Sequence, residues 1–150
     1  MISRSRIVPK GTLMPISSEH TVADLAWAAG FIDGDGVISM YKRSDRPVNE
    51  YRVVVRAMNT NRVALDKLRG MFGGSVHVMT KASNTHGWKP SFYWSAGDRM
   101  AERAIKLIEP FLVLKREQAS LALRARDEGA SVRLDAMLLE FRKLNRKGKG

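Results

Sequence analysis

Ala28-Ala29-Gly30-Phe31-Ile32-Asp33-Gly34-Asp35-Gly36 begins as a helix and ends in residues that stop one. Gly34 and Gly36 should end it around Asp33-Gly34-Asp35-Gly36. Counting back to Ala26, the small residues Ala26, Gly30 and Gly34 fall at i, i+4 and i+8 and share one face. They make a smooth ridge that another backbone can approach closely. Two partners suit it: the chain's own sheet, or a second copy of the same helix. The aspartates are harder to place. A helix C-terminus is the negative end of the dipole, where Lys or Arg is favoured. Asp33 and Asp35 break that rule without visible compensation, as functional sites tend to do. Two such helices meeting along the ridge would bring equivalent carboxylates together. Like charges that close raise each other's pKa unless cations join them. Hard divalent cations with oxygen ligands meet that need.

Upstream, Thr21 followed by Asp24 has the form of a capping box, so the helix should begin near Val22. Downstream, Val37 to Arg43 has strand character, Ser44 to Asn49 with Pro47 is a turn, and Tyr51 to Met58 is a second strand. Asn59-Thr60-Asn61-Arg62 opens a second helix, apolar at Val63, Leu65, Leu68, Met71 and Phe72, which Gly73-Gly74 ends. Two further strands are expected over Ser75 to Lys81 and Trp88 to Ala96. Asp98 is expected to cap a helix over Met100 to Glu109, broken by Pro110. Two more helices should span Lys115 to Glu128 and Val132 to Leu144. The order αββαββα followed by helices predicts an α+β fold. Two hairpins would join in one four-stranded antiparallel sheet with helices on one face. Residues 1–18 are expected to be a flexible basic lead-in, 19–146 a single domain, and 147–150 a basic tail.

The 150 residues suit one domain with a real core. There are 26 Lys plus Arg against 15 Asp plus Glu, a net charge of +11, and the pI is about 10.4. That surplus favours a polyanionic partner, nucleic acid above all. A membrane is the rival, but the longest apolar run, Leu25 to Ile32, falls far short of the roughly 20 residues of a span. Met1 to Met14 has no apolar core like that of a signal peptide. The absence of cysteine excludes disulfides, Cys-ligated zinc and thiol nucleophiles. The expected location is intracellular, in cytoplasm or in an organelle matrix or stroma.

Ala28 to Gly36 resembles the signature of the LAGLIDADG homing endonucleases. Ala28 stands for the first Leu, Phe31 for the second, and Gly34 for the Ala. Two more blocks are similar: Asn59-Thr60 before a helix ending Phe72-Gly73-Gly74-Ser75-Val76, and Glu109-Pro110-Phe111-Leu112-Val113-Leu114-Lys115. The resemblance covers roughly residues 21–125. It implies a saddle-shaped sheet on double-stranded DNA and, with one motif per chain, a homodimer. The ridge Ala26, Gly30, Asp33 and Gly34 would be the dimer interface. A two-fold pair predicts a near-palindromic target. The resemblance makes Asp35 the catalytic metal ligand and Gly34 a ligand through its carbonyl. Lys115 would support the attacking water and the phosphate charge. Asn59 lines the same pocket, with Asn61 or Arg62 as a second member; Arg62 is the better phosphate partner. Mg²⁺ would be the ion; Mn²⁺ would substitute, and Ca²⁺ would bind without cleavage. Each subunit would cut one strand, leaving short 3′ overhangs.

Strand alternation gives the surface that would meet DNA. Ser39, Tyr41 and Arg43 share a face, as do Arg52 and Arg56. His77 and Met79 share one on the third strand, and Ser91, Tyr93 and Ser95 on the fourth. A solvated sheet face is the plain alternative.

Other sites fall away. A calcium loop starting at Asp33 would need oxygen ligands where Val37 and Ser44 stand. His20, His77 and His86 lack zinc spacing. Two other functions fit the same charge: a non-cleaving binder on this fold, such as an intron RNA maturase or transcription regulator, and a basic RNA-binding structural protein. The latter leaves the helix-terminal aspartates unexplained.

Overall fold

The computed structural model describes residues 20–43, 45, 50–80 and 86–147. The expected lead-in over 1–18, the turn 46–49 and the last residues of the tail lie outside them.

Helix α1 (Val22–Asp35) starts where Thr21 caps it, its hydroxyl accepting the Asp24 N–H at 3.0 Å. Leu25, Ala28, Ala29 and Ile32 form its buried stripe. Strand β1 (Gly36–Arg43) follows without a loop, then β2 (Glu50–Asn59). Helix α2 (Arg62–Phe72) is capped by the Asn61 side chain, which accepts the Val63 N–H. It ends at Gly73, whose φ of 81° suits a residue without a β-carbon. Strands β3 (Ser75–Thr80) and β4 (Ser91–Gly97) precede α3 (Asp98–Ile108), a 3₁₀ turn (Glu109–Phe111), α4 (Arg116–Asp127) and α5 (Ser131–Lys147). The αββαββα order and the antiparallel sheet are as expected.

The sheet order is β1-β2-β4-β3, so the two hairpins join through β2 and β4. All pairings are antiparallel. Ile38, Met40, Val53, Val55, Ala57, Trp94 and Ala96 point into one core beneath the helices. Trp94 is fully buried and donates its indole N–H to the Gly73 carbonyl at 2.8 Å. No described helix covers the opposite sheet face.

Three local expectations are corrected. Strand β4 begins at Ser91, not Trp88, because Pro90 has no N–H for the ladder. Asp98 is no cap. Gly97 holds the cap position and no side chain bonds there, while Asp98 sits at φ 51° with its carboxylate turned to arginines. Met79 loses its place in the alternation. A register shift between Val78 and Thr80 sets Thr80 opposite Ser91.

Candidate functional site

Asp35 is placed by the junction of α1 and β1. A β-carbon on Gly36 would lie 2.8 Å from the Ile32 carbonyl oxygen and 2.9 Å from that of Arg56. Only glycine lets the helix pass straight into the strand there. Asp35, the last helical residue, is thereby held at an exposed corner. Asn59 reaches it from the end of β2, on the sheet face that carries the helices, donating its amide to Asp35 Oδ2 at 3.0 Å. The other end of the Asn59 amide accepts the Asn61 N–H at 2.7 Å, which fixes its orientation.

Asp33 does something else. It is buried, and its carboxylate accepts the N–H groups of Val113, Leu114 and Lys115 at 2.7, 3.1 and 3.0 Å. The carboxylate expected at an interface between copies is turned into its own chain, where it clamps the segment before α4. That clamp brings Lys115 to the end of α1, and its ammonium donates to the Asp33 carbonyl oxygen at 2.6 Å. The cation missing from the helix C-terminus in the sequence is supplied from 82 residues away.

Of the residues assigned to the pocket, Asp35, Asn59 and Lys115 gather at this helix end, with Gly34 beside them. Arg62 is exposed, 3.4 Å from Asp66 and over the Phe92 ring at 5.8 Å. Asn61 is occupied as the α2 cap. Ala26, Gly30 and Gly34 are exposed, and a β-carbon on either glycine would meet nothing within 4 Å.

The register puts the strand residues on one open face. Tyr41 faces Arg52; Ser39 faces Val54 and through it Gly97; Val37, Arg56, Ser95 and Ser75 form one row; Met58, Tyr93 and His77 another. Val37, Met58 and Ser75 were not singled out from the sequence, although alternation through Ser39, Arg56 and His77 reaches them. A depression of about 450 Å³ lies here, lined by Tyr41, Arg52, Val54, Arg56, Ser95 and Met100 among others. Arg56 lies over the Tyr93 ring at 5.9 Å. Arg43 is paired with Asp45 at 3.0 Å and with Glu50 at 3.7 Å. In return, Arg43 holds the Asp45 carboxyl below its usual range. No described helix is long and apolar enough to cross a membrane.

The fold has close parallels among solved structures. I-CvuI, a homing endonuclease in complex with its target in the presence of Ca, superposes with a TM-score of 0.60 at 23% identity. The match covers 85% of this chain and 80% of that one. I-Vdi141I, an archaeal intron-encoded homing endonuclease complexed with DNA, gives 0.65 at 17% identity over 83% and 86%. I-GzeII, a LAGLIDADG homing endonuclease in complex with its DNA target, gives 0.50 at 13% over 69% and 35%. The chain has the LAGLIDADG homing-endonuclease fold. No family model and no curated protein matches the sequence. In the LAGLIDADG fold as this chain builds it, the signature residues span α1 and the first residue of β1. Asp35 therefore stands at the junction of the helix layer and the sheet.

Proposed function

We propose that the chain is a DNA endonuclease that acts as a homodimer with divalent metal ions. It would cut both strands of a long, near-palindromic site and leave short 3′ overhangs. One observation carries the reading. An exposed carboxylate, Asp35, stands with Asn59 and Lys115 at the end of a helix whose outward glycines meet nothing among the described residues. The likeness to homing endonucleases with bound DNA supports the substrate class.

Three features support pairing through α1. Apart from its three aspartates, α1 is small or apolar all round, the pattern of a helix covered on both sides. Among the described residues only one side is covered. Val113 and Leu114, held by Asp33, are exposed hydrophobics on the clamped segment.

The donors fit a hard cation. They are oxygens alone, the Asp35 carboxylate and the Gly34 carbonyl at a negative helix end. A second α1 would bring a second Asp35 carboxylate to the set. Mg²⁺ suits it; Mn²⁺ would substitute, and Ca²⁺ would bind without supporting cleavage. A bound ion supplies an acidified water and positive charge on the phosphate. Asn59 holds one Asp35 oxygen in place. Lys115 brings a cation to the scissile phosphate and steadies the attacking water. Arg62 offers a further phosphate contact near the start of α2. Ser39, Tyr41, Arg43, Arg52, Arg56, His77, Ser91 and Tyr93 would contact bases and backbone, with Met79 at the bulged edge.

The test is cleavage of a randomised duplex library by wild type and Asp35→Asn, first with Mg²⁺ and then with Ca²⁺. The expected result is one near-palindromic site cut by wild type with Mg²⁺ alone, and bound but uncut by the variant. If both proteins bind nucleic acid and neither cuts, the nuclease reading is lost and an intron RNA maturase or regulator replaces it.

A further inference from the structure

Asp98 carries an unusual combination of features. It is the one non-glycine with positive φ among the described residues, at 51°, a conformation that a β-carbon disfavours. Its two carboxylate oxygens are divided between two layers of the fold. Oδ2 lies 2.6 Å from Nη2 of Arg52, on the open sheet face. Oδ1 lies 3.6 Å from Nη1 of Arg126, on α4 in the helix layer. Arg126 is itself held by Glu102 at 3.0 Å, and Glu102 by Lys106 at 3.0 Å. Arg52 lines the sheet depression beside Arg56, with Gly97 alongside its guanidinium.

We propose that Asp98 is a positioning residue for sequence recognition, fixing the Arg52 guanidinium so that its remaining N–H edge reads a guanine. The inference rests on the DNA-binding reading above. A guanidinium has five donors in a rigid fork. Held at Nη2, it sweeps less freely between phosphates, and it enters the groove with part of its side-chain freedom already lost. Guanine offers O6 and N7 to the free edge as a bidentate pair. The same carboxylate puts a negative charge beside the DNA surface, which weakens indiscriminate phosphate binding. Asp98 thus trades affinity for discrimination.

The experiment is selection of bound duplexes from a randomised library, with Ca²⁺ present, by wild type, Asp98→Asn, Arg52→Lys and Arg126→Gln, with a thermal midpoint for each. Asn tolerates the left-handed backbone, so Asp98→Asn should fold. It should lose a guanine preference of about tenfold at one symmetry-related pair of positions, the size expected of one bidentate contact. Its affinity for unselected DNA should hold or rise. Arg52→Lys, which keeps the charge and loses the fork, should lose the same preference. Arg126→Gln should melt earlier and keep it. Unchanged base preference in Asp98→Asn or in Arg52→Lys overturns the proposal and leaves Asp98 a structural link. A wild type that selects no sequence at all overturns the DNA reading itself.

Discussion

Asp33 and Asp35 are two residues apart and do opposite work. Asp35 is exposed and shares one oxygen with Asn59. Asp33 is a buried acceptor for three backbone N–H groups. These donors are only part-buried, so each lost bond should cost near the lower end of the roughly 1–3 kcal/mol of a buried unsatisfied group. Asp33→Ala should therefore destabilise the fold by roughly 3 kcal/mol, and Asp33→Asn, which keeps one acceptor oxygen, by less. Urea denaturation checks this, and a loss below about 1 kcal/mol would show that water replaces the carboxylate. The clamp also sets the position of Lys115, so Asp33 acts on the site through the chain it holds.

At the scale of the element, α1 is the informative helix. Its inner stripe of Leu25, Ala28, Ala29 and Ile32 seals the core. Its outer ridge of Ala26, Gly30 and Gly34 is exposed among the described residues. A side chain at Gly30 would meet open space, and glycine costs a helix interior about 1 kcal/mol relative to good helix formers. Gly30→Leu should leave the folded monomer as stable or slightly more so, by roughly 0.5–1 kcal/mol in dilute denaturant titrations. On the proposed pairing, it should sediment as a monomer and wild type as a dimer. A variant that still dimerises would move the interface away from this ridge.

The whole molecule is strongly basic, yet its carboxylates are placed to staple layers together. Lys106, and after it Arg126, hold the Glu102 carboxyl below its ordinary value of 4.5. Tyr51 and Lys42 hold Asp135 low in the same way, joining α5 to β1 and β2. A carboxyl whose folded pKa is depressed contributes stability that is fully present above its unfolded value. That contribution is lost as pH falls through the lower folded value. Stability should therefore decline as pH drops below about 4.5, in step with these groups. Glu102→Gln should cost of order 1 kcal/mol at pH 7 and flatten the acid decline. Denaturation midpoints at pH 7 and pH 3 read both effects. Parallel declines in the two proteins would assign the acid sensitivity to other groups.

The order of elements was legible in the sequence because each one is set by near neighbours: Thr21 with Asp24, the glycines at 36 and 73, and the β-branched and aromatic runs of β1 and β2. So was Asp35, whose place at the end of an unusually apolar helix is a local feature. The structure decided what depends on residues far apart in the chain. Whether Asp33 faces a second copy or its own backbone turns on where residues 113–115 pass, 80 positions away. Met79 gave no sign of its bulge, because register is settled by the partner strand and not by the strand itself. Asp98 has the composition of a helix cap; what diverts it is a competition between one free N–H and two guanidinium groups brought in by β2 and α4. Local sequence determines which backbone states are favoured over a few residues. Tertiary packing alone determines which charges far apart in the chain meet, since that free energy exists only once the distant partners are in place.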